Sequence, residues 1–256
     1  MKILKVTPNP TPFLKIGKKK KQYYKNLLIK ADENLHEQVV NLIKDNYPKQ
    51  SKVLDWGCGI GALSQRLADI GYEVLSVDIN EIDFKANTKF EKVNFNCSEE
   101  MRNFVGKYKK QFDIVIALEV IEHIRNPWEF LLSLKELVKD NGSAIITTPN
   151  ISSAISRLFF LRTGDLFQFA EKDLEYGHIT LISFIKIKKI ARDTGWKIKY
   201  VGPAGTLPII WLSFSLNHIL YSLFSLLFRP VMKGLKDGWC LIFVLEKRNI
   251  SAMSKK

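Results

Sequence analysis

The stretch ALEVIEHIRNP, residues 117–127, carries Glu119, Glu122 and His123 in an otherwise apolar run. Offsets of three and four put all three on one face if the segment is helical. Two carboxylates and an imidazole can hold a divalent cation, work as an acid–base set, or form the polar edge of a buried helix. The stretch by itself leaves all three readings open.

A second constellation lies upstream. In VLDWGCGIGALSQRLA, residues 53–68, Gly57, Gly59 and Gly61 join an apolar strand to a helix. Glycine permits positive φ and a close ligand approach, and the helix N-terminus offers unpaired N–H groups. Asp55 ends the strand before the glycines. Asp78 ends the next strand 23 residues later, where a carboxylate can accept hydrogen bonds from both ribose hydroxyls. The GxGxG spacing departs from the GxGxxG dinucleotide fingerprint.

These residues need a scaffold, and the surrounding pattern predicts one. Apolar positions at Leu28, Leu35, Val39, Leu42 and Ile43 predict a helix across 27–47, ahead of Pro48. KVLDWG, EVLSVDI, VNFNC, FDIVIALEV and SAIITTPN read as strands, with ALSQRLADIG and PWEFLLSLKELVKDNG as helices between them. ISFIKIKKIARDTG adds a helix. WKIKYVGPAG and GWCLIFVLEKRN, with no short crossover helix between them, suggest an antiparallel pair at the sheet edge. The expectation is an α/β fold, a doubly wound, seven-stranded, mostly parallel sheet with an antiparallel edge strand. Ligands bind beyond the carboxyl ends of strands in such sheets, so Glu119, Glu122 and His123 should emerge at the site's mouth. No internal repeat is visible.

The order LDWGCGIG, SVDIN, FDIVIALEVIEHI, NGSAIITTPN resembles class I S-adenosylmethionine-dependent methyltransferases across about residues 50–200. The resemblance implies a Rossmann-like fold binding S-adenosylmethionine. Asp55 and the backbone of Gly57, Gly59 and Gly61 would line the methionine end, Asp78 would bind the ribose, and Leu118 would lie against the cofactor. Where the family often places an acid for the adenine amino group, this chain has Asn96 and Cys97, which leaves Asn96 as the contact expected. EVIEHI further resembles the EVxEHx segment of ubiquinone-pathway O-methyltransferases and of small-RNA 2′-O-methyltransferases, where the matching Glu, Glu and His are metal ligands. That implies a divalent cation, Mg or Zn, on Glu119, Glu122 and His123, with His178 of YGHITLIS as a fourth ligand. The metal-free alternative makes His123, with Glu122, the acceptor-activating group, and His178 a helix cap or substrate contact. His36 and His218 sit on helical patterns and read as surface or packing residues.

Composition limits the partners. Lys plus Arg number 39 against 26 Asp plus Glu, a formal charge of +13, and residues 185–256 carry 13 basic and 3 acidic side chains. Such a surface favours anionic partners without choosing among phosphates, lipid headgroups and nucleic acid. Cys58, Cys97 and Cys240 have no paired or zinc-like spacing, which suggests reduced thiols and a cytoplasmic setting. Residues 1–22, with Pro8, Pro10, Pro12 and Lys18–Lys21, read as an irregular basic arm rather than a signal peptide, ahead of one domain at 23–256.

LPIIWLSFSLNHILYSLFSLLF, residues 207–228, contains no charged residue. Its length suits a membrane crossing, but the strand at Leu241–Leu245 must return to the sheet, which argues against a single crossing. At 100° per residue Ser213, Ser215, Asn217, His218, Ser222 and Ser225 share one arc, and Leu212, Leu216, Ile219, Leu220 and Leu223 the other. An apolar helical insertion at 207–232 is expected, either peripheral on an anionic membrane or serving as a lid or dimer helix, with Arg229, Lys233 and Lys236 close behind. The leading functional expectation is O-methylation of a hydrophobic or lipid-linked small molecule: a quinone precursor, glycolipid or glycan intermediate. RNA 2′-O-methylation, and a non-catalytic binding protein retaining the fold, are the alternatives.

Overall fold

Residues 112–117 are almost uninterruptedly apolar, and successive side chains enter different cores. Ile114 and Ile116 face one, Val115 and Ala117 the other. A strand buried on both faces belongs inside a parallel sheet covered by helices. The computed structural model describes residues 4–6, 11–212 and 216–248, with the side chains of 216–218 outside that description.

In chain order the elements are β1 (Leu14–Ile16), β2 (Gln22–Tyr24), β3 (Leu27–Ile29), α1 (Leu35–Asn46), β4 (Lys52–Trp56), α2 (Ala62–Asp69), β5 (Glu73–Asp78), β6 (Lys89–Lys92), α3 (Ser98–Tyr108) and β7 (Phe112–Ala117). A single 3-10 turn at Ile121–His123 follows. Next come α4 (Pro127–Leu137), β8 (Val138–Pro149), α5 (Ala154–Thr163), α6 (Glu171–Glu175), α7 (Phe184–Asp193), β9 (Trp196–Ala204), β10 (Ile210–Leu212), α8 (Leu216–Phe228) and β11 (Cys240–Lys247). The main sheet has seven strands in the order β6-β5-β4-β7-β8-β11-β9. β11 runs antiparallel to both β8 and β9, so the expected antiparallel pair closes that edge. Helices α3, α4 and α7 cover one face and α1 and α2 the other. The chain winds outward from β4 in both directions, which puts the switch point between the carboxyl ends of β4 and β7.

Three local expectations need correction. The helix expected at 27–47 begins only at Leu35, because Lys25, at φ 52°, turns the chain and Leu27–Ile29 pair with β2 as a hairpin. The third strand is Lys89–Lys92 rather than VNFNC. Past it the Asn94 side chain accepts from Asn96 N–H and bends the chain toward α3. The basic arm at 1–22 is not wholly irregular: once past Pro12, β1 pairs in parallel with β10.

Two segments outside the α/β core meet each other. Residues 150–183 carry α5 and α6, and 205–239 carry β10 and α8. Asn150 fastens them, its Nδ2 donating to the carbonyls of Leu235 and Asp237 at 3.0 and 2.8 Å. Among the described residues no helix is long and apolar enough to cross a membrane. Ser213 and Ser215, and the side chains of Leu216, Asn217 and His218, lie outside the described residues.

Candidate active site

A cavity of about 690 Å³ opens at the switch point. Its floor is the glycine loop after β4 and the segment after β7; its walls are the N-terminal segment and the loop around α6. All three glycines have positive φ, for different reasons. A Cβ on Gly57 would lie 2.3 Å from Val120 Cγ2, and one on Gly61 2.5 Å from the Ala86 Cβ, so packing excludes a side chain at both. A Cβ on Gly59 meets nothing within 4 Å and would project into open space. That is the position where a ligand can lie on bare backbone.

Asp55 is buried and accepts from Ser64 Oγ at 2.5 Å. Burial, with the Asp78 carboxylate nearby, raises its carboxyl to about 6 despite the Ser64 bond. Asp78 accepts Gly59 N–H at 2.9 Å and Asn80 N–H at 3.1 Å, one on each oxygen. Each oxygen keeps a further lone pair, so the ribose role is compatible with this bracing. Leu118 lines the cavity, as expected. Asn96 is braced as well: its Oδ1 accepts Arg125 N–H at 2.9 Å and its Nδ2 donates to the His123 carbonyl at 3.0 Å. Both ends of the amide hold the loop after β7, and each keeps one further hydrogen-bonding position on an exposed side chain, so an adenine contact is compatible with this bracing.

Glu119, Glu122 and His123 do not share a face. Glu119 has φ 54°, an uncommon left-handed conformation for a side-chain-bearing residue, and the turn that follows is 3-10 rather than α. Its carboxylate accepts from Thr147 Oγ1 at 2.7 Å and from Cys240 Sγ at 3.1 Å, and Cys240 also lies 3.2 Å from Asp32 Oδ2. Burial, with Asp32 adding negative charge, raises Glu119 to about 7.

Glu122 goes to the interior, fully buried, instead of the mouth. Neither carboxylate oxygen has a hydrogen-bond partner among the described residues, and burial first, then Glu119, pushes its carboxyl well above the usual range. Its backbone carbonyl accepts from Ile179 and Thr180 N–H, drawing the loop after α6 onto the turn. That loop brings in His178. Glu122, His123 and His178 each offer a ligand atom within 4.8 Å of the others, while Glu119 groups with Asp32 and Cys240.

The two imidazoles are held alike. His123 Nδ1 lies 3.0 Å from the Gly177 carbonyl and His178 Nδ1 2.7 Å from the Gln168 carbonyl. A carbonyl only accepts, so each Nδ1 carries a proton, and Nε2 is the nitrogen left to act as a base or ligand. Burial, and His178 beside it, lower the His123 pKa.

Lys19, Asp32 and His36 also line the cavity, and sequence reasoning assigned none of them to the site. Lys19 pairs with Asp32 in the cavity lining. His36, read from sequence as a surface or packing residue, lines this region; its buried Nδ1 has no hydrogen-bond partner among the described residues, and burial lowers its pKa to about 4. Only the first-turn position of His36 in α1, at the sheet's carboxyl edge, could have signalled it.

A bare glycine loop, a braced acid after the second strand and a cavity at the switch point define a nucleotide-type site on a doubly wound sheet. The model for the methyltransferase domain matches residues 29–201, and the chain belongs to that family: it is an S-adenosylmethionine-dependent methyltransferase. It is 30% identical over 167 residues to a ubiquinone biosynthesis O-methyltransferase of Rickettsia canadensis, covering 64% of this chain and 70% of that protein. To the protein of the same name from Rickettsia prowazekii it is 37% identical over 123 residues, 44% of this chain and 47% of the relative. In fold it resembles an S-adenosylmethionine-dependent methyltransferase from Archaeoglobus fulgidus, with a TM-score of 0.57 at 18% identity, over 83% of this chain and 94% of that one.

Proposed function

We propose that the protein O-methylates a hydroxyl group on a hydrophobic or lipid-linked small molecule, with His123 as the acceptor-activating base. The observation that carries this reading is the pairing of a fully buried, unpartnered Glu122 carboxylate with two imidazoles whose Nε2 atoms are left as lone pairs. The ubiquinone-pathway relatives support an oxygen acceptor and an apolar substrate.

S-adenosylmethionine supplies a sulfonium-activated methyl group when bound. The open space at Gly59, the braced Asp78 and the cavity beside Leu118 fit it. The chain's own task is alignment and proton removal. His123 Nε2 would take the proton of the acceptor hydroxyl as that oxygen receives the methyl group. Gly177 fixes the tautomer that makes Nε2 basic.

As the alternative to His123 acting as base, Glu122, His123 and His178 would hold a divalent cation, with the His123 lone pair then given to the ion, and a buried carboxylate grouped with two imidazoles fits one. Two nitrogen donors suit Zn better than Mg. Such an ion would lower the pKa of the acceptor hydroxyl. Calorimetry with Zn and with Mg tests it, with Glu122→Ala expected to abolish binding; full activity after chelation would reject the cation.

The presence of His178 beside His123 also favours a second reading, RNA 2′-O-methylation, because the later histidine completes the site in the RNA enzymes that EVIEHI resembles. A screen of lipid, glycan and RNA fractions for labelled methyl transfer separates the two. Label entering RNA alone would overturn the first. Within the first, His123→Ala should lower kcat about 10²–10⁴-fold while leaving S-adenosylmethionine binding intact.

A further inference from the structure

Helix α8 is turned inside out relative to a helix of a water-soluble domain. Ser222 and Ser225 are buried, at 1% and 2% exposure, and Ser222 Oγ accepts Trp211 N–H at 2.7 Å. Leu220, Leu223, Phe224 and Leu227, spaced i, i+3, i+4 and i+7, form the outward stripe, with Leu227 69% exposed. The stripe is not isolated. α5, packed on α8, adds Leu161 at 80%, and the β1–β10 pair adds Leu14, Ile16 and Leu212. An apolar face this continuous marks a contact surface.

We propose that this face docks on an anionic lipid bilayer. Its charge selects that occupant. No acidic residue occurs from Gly205 to Lys236, nor anywhere before Asp32, whereas Lys18, Lys20, Lys21 and Lys233 are exposed along these same segments; in and just after α5, Arg162 and Asp165 are both exposed. Arg162 lies against Tyr221 of α8, its guanidinium 5.8 Å from the ring. Apolar side chains in the acyl boundary with cations at headgroup level is the arrangement of an interfacial helix. At 13 residues α8 is about 20 Å long, short of the ~30 Å hydrocarbon core, so it lies in the surface. A symmetric second copy would bring two predominantly basic rims together.

A row of aromatic rings leads inward from the docked face. Tyr221 contacts Phe159, Phe159 contacts Phe167, and Phe167 contacts Trp239, with centroids 6.4, 5.7 and 5.1 Å apart. Lys19, at the cavity wall, lies 5.9 Å over Trp239. This row gives a membrane-borne acceptor an apolar approach to the cavity; that role rests on the proposed function, whereas the docking does not.

Flotation of the full chain with vesicles tests the docking without turnover. Protein should float with equal parts phosphatidylcholine and phosphatidylglycerol. Binding should fall at least about tenfold with phosphatidylcholine alone, and equally for Leu223→Asp/Leu227→Asp. Unchanged circular dichroism and S-adenosylmethionine binding would show the double variant folded; if it is not, Lys20→Glu/Lys233→Glu, which alters only exposed charge, should give the same loss. Absence of flotation, or flotation insensitive to either pair of changes, overturns the proposal. Light scattering that shows a dimer abolished by the leucine changes, without flotation, assigns the face to a second copy and also overturns it. Intact flotation with no methylation of any lipid fraction would leave docking standing and defeat the substrate reading instead.

Discussion

The rings of His123 and His178 meet edge to face, their centroids 4.9 Å apart at 81°, although 55 residues separate them in the chain. Each is tethered through Nδ1 to a carbonyl of the loop at 168–177, so one loop sets both tautomers. In chelator-treated protein, histidine side-chain NMR should find His123 titrating below 6.5, because burial and His178 both disfavour its cation. His178→Gln should move that midpoint upward. An unmoved midpoint would mean that the two rings are not electrostatically coupled.

Glu122 costs the fold stability. Two unpartnered carboxylate oxygens in a fully buried site are a desolvation cost that an apolar side chain of similar size avoids. Glu122→Met should therefore raise the unfolding free energy of the metal-free protein by about 1–3 kcal/mol while abolishing methyl transfer. Urea unfolding checks the first part; a destabilised variant would show that the carboxyl has a structural partner in solution.

The glycines should separate by function. Gly57→Ala drives a Cβ to within 2.3 Å of Val120 at φ 85° and should destabilise the fold by about 1–3 kcal/mol. Gly59→Ala meets no protein atom, so it should cost only about 1 kcal/mol of backbone strain yet weaken S-adenosylmethionine binding at least about tenfold. Thermal melts and calorimetry on the two variants make the comparison. Equal effects on binding per unit of stability would refute the division.

Glu119 should make the fold more stable in mild acid. Its carboxyl rises from 4.5 to about 7 on folding, so folding takes up a proton between those values. The contribution is full below pH 4.5 and is lost as pH rises through about 7. Glu119→Gln should flatten the fall in melting temperature across that window. A parallel fall in both proteins would place the titration on another group, such as Asp55, which burial raises to about 6.

The chain's local periodicities were enough for the sheet. Strands with both faces apolar, glycines past helix ends and the loop between Asp55 and Ala62 are decided within a few residues by φ preferences and by periods of 2 and 3.6, so they are legible in order. The hairpin at 22–29 was missed because Leu28 fell by chance on the helical spacing of α1. At the candidate site, the identity of Asp55, Gly57, Gly59, Gly61 and Asp78 was readable, and so was the grouping of Glu122, His123 and His178, but not the departure of Glu119 from it. Glu119 leaves the other two because its positive φ and a thiol 121 residues away, on Cys240, hold it toward Asp32.

Tertiary structure alone decided which face of each element meets what. No periodicity shows that the serines of α8 turn inward; Ser222 does so because Trp211, on the neighbouring strand, presents a backbone N–H that needs an acceptor. Lys19, Asp32 and His36 reach the cavity because the N-terminal segment is laid across it by the β1–β10 pairing. The sequence by itself determined the fold and the chemistry-bearing residues, since these rest on local backbone preference and side-chain type. The partners of those residues depend on contacts between segments far apart in the chain, which only the packed molecule brings together.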